Sequence, residues 1–283
     1  MQGDGAELTV VDAGGGGRTL HAGDGRSDIA IRDLTLTGGA ADQGGGLFAT
    51  DTELTHSGVD VTANASEDEG GGAYVVGGTL SLSGGSFAGN GAGRDGGGLY
   101  VNDLDLTADG VSFSSNSSAR AGGGLAVDED CDDVVLTDVT FVGNSAGSYG
   151  GGIYSTAEVE ISEATFRQNV GSNGGGIAAT DRLTLSDAVL DSNSGRDGGG
   201  LYVSVERRTD RLERVEFNNN QGSGGSALFA RIYQGGVVAC TDCFIRSDGG
   251  GTVAREIEDP TWIRRVYDFT GGLDFTCDEG GCG

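Results

Sequence analysis

The chain has 283 residues, a formal net charge of −26 at pH 7, 57 glycines, one proline and no lysine. So acidic a chain repels nucleic acid and anionic membranes, which are bound by Lys and Arg neutralising phosphate, and nucleic-acid partners are excluded. The glycine is neither linker nor collagen, since apolar residues make up 36 % with no Gly-X-Y period, and no run of about 18 apolar residues gives a transmembrane segment.

In chain order, Met1–Asp4 carries no charged n-region or apolar h-region of a secretory signal. Leu8–Asp12 already reads as a strand, so the expectation is a chain that starts part-way along a longer array, either a monomer or part of a longer chain. From about residue 30 a repeat is clear. Gly-Gly-Gly followed by an apolar residue starts at Gly44, Gly70, Gly96, Gly122, Gly150, Gly174 and Gly198, with weaker copies at Gly224 and Gly249. The spacing of 24 to 28 residues is that of a solenoid. A second anchor places an apolar residue three before an asparagine: Val61/Asn64, Phe87/Asn90, Phe113/Asn116, Phe141/Asn144, Phe166/Asn169, Leu190/Asn193 and Phe217/Asn220. Between the anchors lie alternating runs such as Leu104-Asp105-Leu106 and Leu183-Thr184-Leu185.

Each repeat therefore reads as three short strands joined by turns. Such strands bury their apolar sides only when copies stack about one axis, each pairing with the next turn roughly 4.8 Å away. Leucine-rich repeats have a similar period but need a leucine/asparagine consensus and usually a helical segment, and helix formers are scarce here. The fold predicted is all-β, a right-handed parallel β-helix over residues 1–239. The glycines serve positive-φ turns and close backbone approach. Asn64, Asn90, Asn116, Asn144, Asn169, Asn193 and Asn220 form a structural ladder of stacked amides, with the phenylalanines inside.

Strand alternation makes a further prediction. If Leu47, Leu99, Leu125, Ile153, Ile177 and Leu201 point inward, then Phe48, Tyr74, Tyr100, Ala126, Tyr154, Ala178 and Tyr202 point outward. Phe48, Tyr74, Tyr100, Tyr154 and Tyr202 are then an outer aromatic stripe, either cross-rung stacking that stabilises the sheet or a platform for a carbohydrate or a surface protein.

Phe87-Ala88-Gly89-Asn90 followed by Gly96-Gly97-Gly98-Leu99-Tyr100 resembles the right-handed β-helix repeats of pectin-lyase-like bacterial surface proteins, especially the GGA(I/L) and FxxN repeats of the polymorphic outer-membrane protein family. The resemblance covers roughly residues 30–250. It implies a non-enzymatic, secreted or surface-displayed solenoid, at the bacterial outer membrane or outside the cell, with an adhesive or envelope-structural role. Residues 240–283 lose the triplet period and are similar to terminal segments of related repeat proteins, which implies a cap. Cys240/Cys243 and Cys277/Cys282 are then read as local disulfides of an extracellular segment, the alternative being a four-cysteine zinc site. Cys131 is left over, free or paired outside the chain.

The resemblance also admits an alternative, a polysaccharide lyase or glycoside hydrolase, whose chemistry needs Asp with Arg, His or Lys on adjacent rungs. No catalytic set emerges. His21 precedes the clear repeats and His56 reads as a solvated loop residue. Gly-Arg-Asp-Gly-Gly-Gly-Leu-Tyr-Val occurs at 93–101 and 195–203, so Arg94/Asp95 and Arg196/Asp197 could clamp a substrate. The position before the triplet varies freely elsewhere, however, as an exposed loop does. No cofactor is required; Ca²⁺ is considered at the acidic insertion Asp128, Glu129, Asp130, Asp132 and Asp133, which nevertheless lacks the spaced D-x-D-x-D-G loop, and more weakly at Ser66–Glu69.

Overall fold

The computed structural model describes residues 1–6, 9–23, 28–246, 251–257, 263–269, 271–278 and 281–282, with side chains up to residue 245. Among these residues every regular element is a strand. One rung consists of Leu99–Asp109, Ser112–Ser114 and Ser117–Ser118. The next consists of Leu125–Val127, Val134–Thr137, Thr140–Val142 and Ser145–Ala146. Each strand pairs in parallel with its counterpart: Leu99 opposite Leu125, Leu106 opposite Val134, Phe113 opposite Phe141. The chain is a parallel β-solenoid.

The turns follow from local chemistry. In Leu99–Asp109 one strand serves two faces because Asp103 adopts φ 53°, a left-handed conformation that Asp tolerates better than most residues. Leu99 and Val101 before the bend, and Leu104, Leu106 and Ala108 after it, then all point inward and are buried. At the triplet, Gly122 sits at φ 63°. A Cβ on the following Gly123 would strike the carbonyl oxygens of Gly151 and Ser145 in the rung above. The first glycine therefore supplies the turn and the second the close approach.

A continuous core runs along the axis, from Ala22 and Ile31 to Ile245. Phe87, Phe113, Phe141 and Phe166 stack inside it with ring centroids 4.6–5.0 Å apart. His56 belongs to this core rather than to a loop. It lies in the strand Leu47–Ser57, is 1 % exposed, and stacks 5.7 Å from Phe87. The loop expectation fails because the alternation that turns Leu54 inward continues through Thr55 to His56, and the turn comes only at Gly58, with φ 57°.

The asparagines form a buried ladder at one corner. The Asn144 side-chain oxygen accepts hydrogen bonds from the backbone N and the Nδ2 of Asn116, both at 3.0 Å, and Asn144 Nδ2 donates to Phe113 O and Asn169 Oδ1. The same pattern links Asn64, Asn90, Asn116, Asn169, Asn193 and Asn220. Each ladder amide from Asn64 to Asn193 is thus satisfied by the rungs on either side.

Parallel pairing does not stop at residue 239. Val237–Arg246 pairs in parallel with Thr209–Glu213, and Gly251–Ile257 with Leu228–Tyr233. Antiparallel pairing begins with Ile263–Phe269 and Gly271–Asp278. Cys240 and Cys243 form a disulfide. Cys277 and Cys282 face each other across an antiparallel pair, and their side chains lie outside the described residues.

Candidate binding site on the outer face

The residue after the inward-facing leucine or isoleucine of each rung lies in register with its neighbours, giving the column Phe48, Tyr74, Tyr100, Ala126, Tyr154, Ala178, Tyr202, Phe229. These side chains leave the core as strand alternation requires, but the stripe is not freely exposed. Tyr100 is 9 % exposed and Tyr202 4 %, while Ala126 and Ala178 are buried outright. The reason is a second column beside it, formed by the residues that precede each glycine triplet: Asp95, Ala121, Tyr149, Asn173 and Asp197 bridge from rung to rung.

Rings stack at 5.3 Å between Phe48 and Tyr74, 5.2 Å between Tyr74 and Tyr100, and 5.7 Å between Tyr202 and Phe229. At the Phe48 end the Arg18 guanidinium lies 4.3 Å from the ring centroid, a cation–π contact, and the exposed His21 meets the same ring edge-on. The two alanines interrupt the stack differently. Tyr149, unrecognised in the sequence because it stands at a variable position, contacts Tyr154 at 5.5 Å and Tyr202 at 6.1 Å, so its ring spans the Ala178 rung. Ala178, Tyr202 and Phe229, with Tyr149 and Tyr154, make an apolar cluster outside the solenoid core.

At Ala126 no ring fills the break. Asp95, Tyr100, Arg120, Ala126, Val127, Asp128 and Tyr154 line a small depression of about 20 Å³, room for about one water molecule. Arg120 Nε donates to both oxygens of Asp95, at 2.8 and 2.9 Å. Asp95 is only 2 % exposed, which corrects its assignment to an exposed loop: the position tolerates many residues because each is packed against the rung above, not because it is free. Arg94 turns the other way and pairs with Glu69 at 3.0 Å. In the second copy of the peptide, Arg196 pairs with its own neighbour Asp197. The two arginine–aspartate pairs are four rungs apart, about 19 Å, and form no joint clamp.

The acidic insertion does not converge. Asp128 is turned toward the column, whereas Glu129, Asp130, Asp132 and Asp133 are exposed, and among the described residues no group of three His, Cys, Asp or Glu side chains is placed to hold a metal. Asp128 Oδ2 accepts a 2.6 Å hydrogen bond from the Tyr100 hydroxyl, and Oδ1 accepts from Glu129 N and Thr156 Oγ1. Burial acts to raise the Asp128 carboxyl, but these hydrogen bonds outweigh it and hold it below the ordinary range. Burial and the bond to Asp128 push the Tyr100 phenol well above its ordinary value. Neither group changes charge near neutral pH, so they offer fixed donors and acceptors rather than a proton shuttle. Cys131 folds inward from the same insertion and is a buried free thiol.

One carboxylate is brought near neutrality elsewhere. Asp210 points into the interior, fully buried, and is raised to about 7 by desolvation. Its Oδ1 accepts from Leu183 N while Oδ2 has no partner. No helix among the described residues is long and apolar enough to cross a membrane.

Compared with known proteins, residues 22–189 match the family model described as the right handed beta helix region. No curated protein and no solved structure matches the chain. With more than half of its length matched and a parallel solenoid running through and beyond that span, the chain belongs to the right-handed β-helix family.

Proposed function

We propose that this β-helix is a secreted or surface-displayed protein that binds rather than catalyses, presenting its outer aromatic column to a carbohydrate in an adhesive or envelope-structural role. The observation that carries the reading is the column itself. Rings gathered on the outer face, separate from the solenoid core, exceed what closing the core requires, and the fixed carboxylate and guanidinium groups beside them suit sugar hydroxyls. The Cys240–Cys243 disulfide favours an oxidising compartment.

The test is retention of the purified protein on a panel of neutral, amino-bearing and acidic polysaccharides, with Ca²⁺ and with chelator, alongside assay of reducing ends and unsaturated products. Retention without turnover is expected. Turnover on any member would replace this reading with that of a polysaccharide lyase or hydrolase.

A further inference from the structure

Asp210 puts a carboxyl where the rungs on either side carry apolar residues. It is fully buried. Val238 lies opposite it in the rung above, and Leu183 stands beside it in the rung below, next to Thr184, the partner of Arg211. The backbone at this corner is irregular as well. The rung below passes from Ala179 to Thr184 through four residues, whereas this rung passes between their partners, Val203 and Arg211, through seven. Among the described residues, 204–210 therefore have no backbone ladder partner below, while Ser204–Glu206, Thr209 and Asp210 keep their partners above. The Asp210 side chain fills part of the breach, Oδ1 accepting from Leu183 N at 3.2 Å. Arg207 turns the corner at φ 54°, in the left-handed region that long side chains seldom occupy. Arg208 ties the corner down, its Nη2 donating to Thr180 O of the rung below and to Ser204 O.

The charged groups facing Asp210 come from this corner and from the rung below. Arg208 Nε lies 3.8 Å from Asp210 Oδ1 and 3.5 Å from Asp181 Oδ1, yet bonds to neither, and both that nitrogen and Asp210 Oδ2 are buried without a hydrogen-bond partner. Arg182, on the same turn as Asp181, is engaged by Glu158 at 2.7 Å. Arg208 and Arg182 favour the carboxylate and Asp181 opposes it, but desolvation outweighs them all. A neutral carboxyl sits comfortably in such a place and a charged one does not, whereas in water the charged form is preferred. The corner is the shortest way out, because ladder bonds hold it on one side only.

We propose that the corner 204–210 is a pH-operated latch, closed while Asp210 is protonated and released when Asp210 ionises and moves out to water with Arg208. The buried carboxyl titrates at about 7 and the solvated one at 3.8. Between those values each pH unit multiplies the open fraction about tenfold, and above about pH 7 the gain levels off.

The experiment is hydrogen–deuterium exchange with mass spectrometry on the whole protein at pH 5 and pH 8, each corrected for the exchange rate of the unfolded chain at that pH. Peptides spanning 204–210 are expected to lose protection roughly hundredfold from the lower to the higher pH. Peptides spanning 139–145, around Asn144, should change less than about fivefold, since they report opening elsewhere in the solenoid. Asp210→Asn and Asp210→Leu, the second matching the leucine of the rung below, should each remove the pH dependence and leave the corner closed at both values, with circular dichroism confirming the β-fold. Equal protection of the wild-type corner at pH 5 and pH 8 would overturn the latch, because Asp210 would then ionise in place. A pH dependence that survives in both variants would overturn it by assigning the opening to another group. A loss shared equally by 139–145 would overturn it too, since the whole solenoid would then be opening.

Discussion

The Tyr100 hydroxyl donates a 2.6 Å hydrogen bond to Asp128 Oδ2 in the next rung, tying the aromatic column to the acidic insertion. Tyr100→Phe keeps the ring and removes only this bond, so it should cost about 1.5 kcal/mol of stability, the low end for a bond to a charged group because the site is partly open. Equilibrium urea unfolding checks this. In an ultraviolet titration Tyr100 should ionise after the exposed tyrosines. Asp128→Asn should bring it partly back, since burial, the larger cause, remains.

Mid-ladder, Asn144→Ala strips the acceptor from Asn116 N and Nδ2 and the donor from Phe113 O and Asn169 Oδ1. Buried groups left without partners cost about 1–3 kcal/mol each, so a loss of roughly 3 kcal/mol or more is expected. A change below about 1 kcal/mol in chemical unfolding would mean that water replaces the amide.

His56 is buried among core rings with neither nitrogen hydrogen-bonded, and desolvation lowers it to about 4. As the folded value is depressed below the unfolded 6.5, the unfolded chain takes up a proton first as pH falls. Stability is intact above about pH 6.5 and is lost between there and about pH 4, by about 3 kcal/mol from this group. His56→Leu should remove that slope; identical slopes in both proteins would place the imidazole in contact with water.

Asp210 acts in the opposite sense over nearly the same window. Desolvation raises its folded value to about 7 from 3.8, against the nearby Arg208, whose Nε lies 3.8 Å away. Its contribution is therefore fully present below about pH 3.8 and is lost as pH rises through about 7, by about 4 kcal/mol. The two groups largely cancel in the wild type. Asp210→Asn should expose the His56 dependence, with a stability advantage that grows from pH 4 to 7. An advantage independent of pH would show that Asp210 stays ionised throughout.

The Cys131 thiol is buried and pushed up to about 11, chiefly by desolvation. At pH 8 it should resist iodoacetamide until denaturant is added, as peptide mass mapping would show; prompt native labelling would indicate that the 128–133 insertion opens readily.

The architecture was legible in the chain because its determinants are local and recur. Glycine triplets, FxxN anchors and apolar alternation each repeat often enough to define a rung, and one rung dictates the next. Asn90 above Asn64 and Phe113 above Phe87 follow from the period alone. What the period cannot convey is contact between positions that vary. Asp95, Ala121 and Tyr149 occupy one column with no shared chemistry, so they read as loop; stacking at one-rung spacing is what buries Asp95 beneath Arg120 and leans Tyr149 across the Ala178 rung. His56 similarly needed the Phe87 ring beside it to be recognised as core. Sequence determined the solenoid and which side chains leave it; only the tertiary structure decided that Ala126, flanked by Tyr100, Tyr154 and Asp128, leaves a gap, because a gap is defined by neighbours that come from three different rungs.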